Sequence, residues 1–472
     1  MGTPLIGDGT WATSRNHRRT RAAAPGVVLR LRKDRLGERK TTKQVRDLIP
    51  PRAQAERMTR TSTSETRPAG AARRARVSIV MPTHNRAHLV GESIESALGQ
   101  SLPPAEIIVV DDGSSDETPA ILRSFGDRLI GLRQDKAGKS AALNRGIAAA
   151  SGDFLLVLDD DDLLPPGALA AHVAALEAMP EAGFSYGRFA RFTGRGEDAH
   201  CSTDCEELPP EGEKRLLVQL MQCCFLPNPT WMVRRKVQLA AGRYRSDLPR
   251  GQDYEMILRL ARAAPGARAE GILLYQRKHV AARTTSHGTV VAKDTVAGWI
   301  DAERTIFAEI DESWSDADFQ PFETPPSGAE AERLAVLQRA VILFMRKLHD
   351  RAEGHLARYC ALLGNAAPGR RELAVATDLL GARYGIGEIL DASHDPARLA
   401  ALDLPLALRR SMARHLPWRM RELIGGGRFG DAARLLGWGQ RALGTAAVLG
   451  AAGGRLEDHA RRGRTRSRIS AS

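Results

Sequence analysis

Residues 152–166 read GDFLLVLDDDDLLPP: five apolar residues, four consecutive aspartates, then an apolar pair and two prolines. The short apolar run Phe154–Leu158 predicts a buried strand. The aspartates cannot continue it, so they mark its carboxyl end. Working outward, Val77–Pro82 (VSIVMP) and Glu106–Val110 (EIIVV) are two more such runs, and Leu129–Leu132 is a weaker one. Between them, apolar residues recur at helical spacing: Val90, Ile94, Ala97 and Leu98, then Leu143, Ile147 and Ala150, then Leu169, Val173 and Leu176. Ser114 and Glu117 have capping-box spacing, with Pro119 in the first turn of the helix that follows. Four strand–helix alternations in about a hundred residues predict an α/β layer with a mainly parallel sheet. Further on, Phe184–Phe192, Thr230–Val233 and Gly271–His279 read as strands, and Arg215–Cys224 and Gln252–Ala263 as helices.

In such sheets ligands sit at the carboxyl ends of the strands, and here those ends are polar: Thr83-His84-Asn85-Arg86, Asp111-Asp112-Gly113-Ser114 and Asp159 to Asp162. Consecutive carboxylates repel unless a cation sits among them. Asp159 and Asp161, two apart on an extended chain, point the same way and suit Mg²⁺ or Mn²⁺ bridging a diphosphate; a solvated acidic turn is the alternative. At Asp111-Asp112 a carboxylate can accept from a nucleobase imide or a ribose hydroxyl, or cap the next helix. Gly138-Lys139-Ser140 is not a P-loop, because Arg133 stands where that motif needs glycine. It opens a helix and brings Lys139 toward phosphate oxygens, or leaves it an ordinary exposed lysine. In Gln252-Asp253-Tyr254-Glu255, Asp253 can take a proton from an attacking hydroxyl, or simply favour a helix start. His279 can complete a metal shell, contact phosphate, or be structural.

Taken together these segments resemble the family 2 glycosyltransferases with the GT-A fold, over about Arg76 to Ser286. VSIVMPTHNR, EIIVVDDGSSDET, GKSAALNRGI, GDFLLVLDDDDLLPP, GQDYEMILRL and YQRKHVAARTTS occur in the family's order. The resemblance implies inverting transfer of a sugar from a nucleotide-diphosphate-sugar, a UDP-sugar first, to an acceptor hydroxyl. It implies nucleotide contacts at Pro82, Thr83, His84, Arg86, Asp112, Lys139 and Asp160, and a divalent cation on Asp159, Asp161 and His279. Asp253 becomes the general base. An acceptor, whether a glycan, a lipid-linked molecule or a small molecule, would lie among Phe184–Arg191, Asn228–Trp231 and Asp253, with Trp231 either stacking on a sugar or packing in the core. Two residues depart from the pattern: His84 stands where Tyr is usual, and Gln252 where Glu is usual. A nucleotidyltransferase would want a Gly-rich basic loop after the first strand, which Thr83–Ala87 lacks. A non-catalytic sugar-nucleotide binder is the other alternative.

The net charge of +13 lies wholly in residues 1–76, which hold 19 Lys and Arg against 6 Asp and Glu. The rest is neutral, and aromatic residues are only 5%, so the charge does not indicate a nucleic-acid enzyme. Residues 1–75 read as a disordered basic leader, 76–300 as the GT-A domain, 301–454 as α-helical and 455–472 as a basic tail. Met58 is an alternative start. Five cysteines exclude a disulfide scaffold, and the Cys201, Cys205, Cys223 and Cys224 spacing reads as free thiols rather than a zinc site. Without a signal or a membrane span, a cytoplasmic protein is expected, with peripheral contact at the inner membrane face as the alternative. Leu406–Leu423, apolar with five Arg, is expected to pack on the catalytic domain as a lid or form a dimer contact rather than lie on an anionic membrane surface, because Pro417 interrupts its face.

Overall fold

The structure is a computed structural model that describes residues 75–195, 200–205, 207–278, 283–285, 288–290, 295–381, 389 and 393–451. The leader, His279 and the basic tail lie outside the described residues, and so do the side chains of Cys201 and Cys205. The first half runs β1 (Val77–Thr83), α1 (Val90–Leu98), β2 (Glu106–Asp112), α2 (Thr118–Ser124), β3 (Ile130–Gln134), α3 (Lys139–Ala149), β4 (Phe154–Val157) and α4 (Ala168–Ala178). Then come β5 (Phe184–Thr193), β6 (His200–Cys205), α5 (Leu216–Gln222), β7 (Trp231–Arg234), α6 (Arg235–Ala241), α7 (Gln252–Ala263) and β8 (Gly266–Arg277). A small hairpin, β9 (Arg283–Thr285) and β10 (Gly288–Val290), precedes the helical region.

The sheet order is β3-β2-β1-β4-β7-β5-β6, with β8 paired to β5. β3, β2, β1 and β4 are parallel, whereas β7 enters antiparallel to both β4 and β5. The sheet is therefore wholly parallel in its first half and mixed beyond it, less parallel than the strand–helix alternation predicts, because β7 and β6 enter antiparallel and only the β5–β8 pair there is parallel. The capping-box reading is not what the chain does. Asp116 Oδ1 accepts from the Thr118 amide at 3.0 Å, and the Ser114 hydroxyl serves the neighbouring strand end instead.

The strands lack polar alternation because both sheet faces are covered. Every residue of β1 is buried. Ile79, Met81, Ile107, Val109 and Leu156 face α1 and α4, while Val80, Ile108, Val110, Leu155 and Val157 face α3. α3 lies close enough that a Cβ on Gly146 would come within 2.5 Å of Val80 Cγ1, so glycine permits the approach. On the α4 side, His172 Nδ1 sits 2.9 Å from the Ser185 hydroxyl, and burial pushes its pKa down to about 3. Between pH 6.5 and about 3 the unfolded chain binds a proton that the folded His172 refuses, so stability is full above 6.5 and declines below it. The slope expected from this group is about 1.4 kcal/mol per pH unit. Urea melts from pH 7.5 to 5 should show a shallower decline in His172→Gln than in the parent.

The second half is helical: α8 (Thr295–Ser313), α9 (Ala329–Met345), α10 (His349–Leu363), α11 (Arg370–Ala376), α12 (Pro396–Ala400), α13 (Leu406–Met412), α14 (Leu416–Gly425) and α15 (Phe429–Leu443). α9 to α15 share their own core. Leu408, Met412, Leu416 and Leu423 are buried in it, so this segment packs into the helical region's own core and not as a lid on the sheet domain, and Pro417 is accommodated in the first turn of α14. Ile306, Phe307 and Ile310 of α8 and Ile342 of α9 instead join the core beneath the sheet. No described helix is long and apolar enough to cross a membrane.

Candidate active site at the strand ends

Strand register sets the site. Thr83 pairs with Asp111, and Asp112 with Gln134, so the ends of β1, β2 and β3 lie side by side. The loop after β1 is stapled to the one after β2. The Asn85 amide donates to Ser114 Oγ at 2.9 Å, the Ser115 amide to Asn85 Oδ1 at 2.8 Å, and the Arg86 amide to Thr118 Oγ1 at 2.9 Å. Asn85 takes φ of 52° to do so, a conformation Asn tolerates better than most residues. Pro82 and Thr83 are buried and His84 half-buried.

Asp112 is buried, and its oxygens accept from Gln134 Nε2 and from the amides of Ala137 and Gly138, each at 2.8 Å. Its carboxylate thus fastens the start of α3 and keeps lone-pair capacity for one further donor. Asp111 accepts from the Ser114 amide and from Arg133, both at 2.9 Å.

After β4 the chain does not stay extended. The Asp162 amide approaches the Asp159 carbonyl at 3.3 Å, and this turn brings a third carboxylate round. Asp159, Asp161 and Asp162 each offer an oxygen within 4.8 Å of the others. Of the expected set, Asp159 and Asp161 do converge and His279 lies outside the described residues, while Asp162 joins the two aspartates through turn geometry that an extended reading cannot supply, making a carboxylate triad. Burial and the neighbouring Asp161 raise the Asp160 carboxyl to about 7 against the pull of Arg86, whose Nε lies 3.5 Å away. The same two causes raise Asp162. A set of hard oxygen donors with excess negative charge fits Mg²⁺ or Mn²⁺.

One cation is built in. Lys139 Nζ lies 2.7 Å from Asp159 Oδ1. Burial works against its charge, yet Asp159, Asp253 and Asp161 hold the ammonium protonated; its side chain is 44% accessible, so solvent screens part of this. Across from it, α7 begins at Gly251 in the left-handed region (φ 75°) and carries Asp253 in its first turn. Asp253 accepts from the Tyr254 amide at 2.9 Å. Burial raises its pKa, Lys139 opposes, and Asp159 adds to the rise. A cleft of about 280 Å³ beside it is lined by Lys136 to Ser140, Ser246, Leu248 and Gln252.

Two braces stand in the quoted segments YQRKHVAARTTS and GKSAALNRGI, where the sequence assigns them no role. Arg277, at the end of β8, donates its amide to Asp162 Oδ1 and its Nε to the Asp161 carbonyl, both at 2.8 Å, and reaches Glu92 at 2.6 Å. Asn144 of α3 exchanges two 2.8 Å hydrogen bonds with the backbone of Tyr244, which fixes the chain leading to α7. Trp231 is 1% exposed in the core beneath the sheet, so it packs and offers no face to a sugar. Phe184, Tyr186, Phe189 and Ala190 are likewise buried. Cys223 and Cys224 are half-buried and form no disulfide.

Residues 78–238 match the family model described as glycosyl transferase family 2. An uncharacterized glycosyltransferase of Rickettsia felis is 29% identical over 206 residues, 43% of this chain and 34% of that protein. The GalNAc(5)-diNAcBac-PP-undecaprenol beta-1,3-glucosyltransferase of Campylobacter jejuni is 40% identical over 99 residues, 20% of this chain and 32% of that protein. The chain thus spans about a third of the length of these curated relatives. The structure of S. aureus TarS 1-349 in complex with UDP-GlcNAc overlaps 79% of this chain and 92% of its own, with 16% identity and a TM-score of 0.44. The match to glycosyl transferase family 2 is thus carried by residues 78–238, about a third of the chain.

Proposed function

We propose that this protein transfers a sugar from a nucleotide-diphosphate-sugar, first a UDP-sugar, to an acceptor hydroxyl with inversion at the anomeric carbon. The observation that carries the reading is the placement of Lys139, whose ammonium pairs with Asp159 and feels the charge of Asp253. The acidic turn and the candidate base therefore face one another across a single cation. Pro82, Thr83, His84, Arg86 and Asp112 surround the nucleotide, and Asp160 stands beside Arg86. Asp159, Asp161 and Asp162 would hold Mg²⁺ or Mn²⁺, which when bound supplies positive charge to the donor diphosphate. Lys139 adds its own charge to the departing diphosphate. Asp253, with its raised pKa, accepts the proton of the acceptor hydroxyl as the oxygen attacks from the face opposite the leaving group. The Campylobacter relative's name describes a lipid-linked substrate, and we extend that class, with glycans generally, to the acceptor here.

The test is isothermal titration of the full chain with UDP, GDP and dTDP, with and without Mn²⁺. Binding of one nucleotide only with metal is the expected result. Equal binding with and without metal would remove the metal from this account, and no binding at all would remove the donor.

A further inference from the structure

The helix that carries Asp253 rests on the helical half of the molecule. At its N-terminus the missing Cβ of Gly251 faces Ile306 Cδ1 at 3.3 Å and Trp299 at 3.7 Å. One residue beyond Asp253, Tyr254 turns the other way, about 100° around the helix, and is 1% exposed. Its hydroxyl donates to the Leu220 carbonyl at 2.7 Å and accepts from Arg346 at 2.9 Å. Arg346, just past the end of α9, also donates to the Met221 carbonyl and pairs with Glu303 of α8. Its guanidinium lies 4.7 Å from the Phe307 ring centroid. Arg346 is 2% and Glu303 3% exposed.

An ion pair this deeply buried adds little stability over apolar residues of the same size, because desolvation offsets its attraction. What it supplies is geometry. Arg346 ties α5, α7 and α8 at one point, the hydroxyl of the residue that follows Asp253 in the chain. We infer that Arg346 is a positioning residue: through Tyr254 it fixes the first turn of α7 and hence the direction of the Asp253 carboxylate. The inference rests on the reading of Asp253 as the base. It assigns the helical region a part in the reaction, as the seat of the base helix.

The informative variant is the full chain carrying R346M with E303Q, which removes both charges and leaves neither buried alone. Y254F, which deletes only the hydroxyl, is the second. Four quantities are read: hydrogen exchange of the amides of residues 251–258, UDP affinity with Mn²⁺, Tm, and nucleoside diphosphate release from UDP-glucose, UDP-GlcNAc and GDP-mannose. The expected result is faster exchange in 251–258 and a fall in kcat of about 10- to 100-fold, with donor KM, UDP affinity and Tm close to the parent. Parental exchange in both variants overturns the inference, as does parental kcat where D253N has lost turnover. If D253N turns over normally, the base reading fails instead, and the exchange measurement alone decides whether Arg346 holds the helix.

Discussion

Asp253→Asn lowers turnover by about 10²- to 10⁴-fold, the usual worth of a positioned general base, while nucleotide affinity in the presence of Mn²⁺ stays near that of the parent. The split follows from where the residue stands. The proposed nucleotide contacts are at the ends of β1 and β2, in the loop after β1, at Lys139 and on the acidic turn, and Asp253 is on α7, on the other side of Lys139 from that turn. Asparagine keeps the acceptor that receives the Tyr254 amide, so the helix start is preserved and only the proton-accepting capacity is lost. In the parent, the raised pKa of Asp253 places the acidic limb of the kcat profile above the ordinary carboxylate range. Activity is present where Asp253 is ionised and falls as pH drops through that raised value. Single-turnover release of nucleoside diphosphate across pH 4 to 8 measures both effects. Retained turnover with a normal acidic limb would remove Asp253 from the chemistry.

Much of this site is legible from the primary structure because of how a parallel sheet is made. A strand buried on both faces reads as an unbroken apolar run, so its end is visible as the first polar cluster. Thr83, Asp112 and Asp159 are all found that way, and the register of β1, β2 and β3 brings the first two together. What stays hidden has no local pattern. Asp162 enters the triad because the chain turns after Leu158, and four identical residues in a row give no hint of which ones converge. Arg277 lies 115 residues from Asp162, whose carboxylate its amide reaches. Arg346 lies 92 residues beyond Tyr254, in a segment whose composition says only that it is helical. For Trp231 the sequence leaves a sugar platform and a core residue equally open, and only the fold decides, by burying it in the core beneath the sheet.

The acidic turn yields the other large effect. Asp161→Asn reduces Mn²⁺-dependent nucleotide binding by about 100-fold or more, since even residues that only orient metal ligands are worth 10- to 100-fold. Asp162→Asn weakens it as well, by an amount that an Asp159–Asp161 pair alone would not predict. The turn's own charges set the direction of a second effect. With Asp160 and Asp162 both raised by burial and by Asp161, removing one negative charge relieves the repulsion that metal would otherwise relieve. Asp161→Asn is therefore expected to be no less stable than the parent without metal, and to gain less stability when Mn²⁺ is added. Thermal melts with and without Mn²⁺ separate the two contributions. An undiminished Mn²⁺ stabilisation in Asp161→Asn would place the cation elsewhere. Loss of both the stabilisation and the nucleotide binding, with the metal-free melt unchanged, is what a cation held by the triad requires, because a carboxylate kept only to cap α4 would register in the metal-free melt instead.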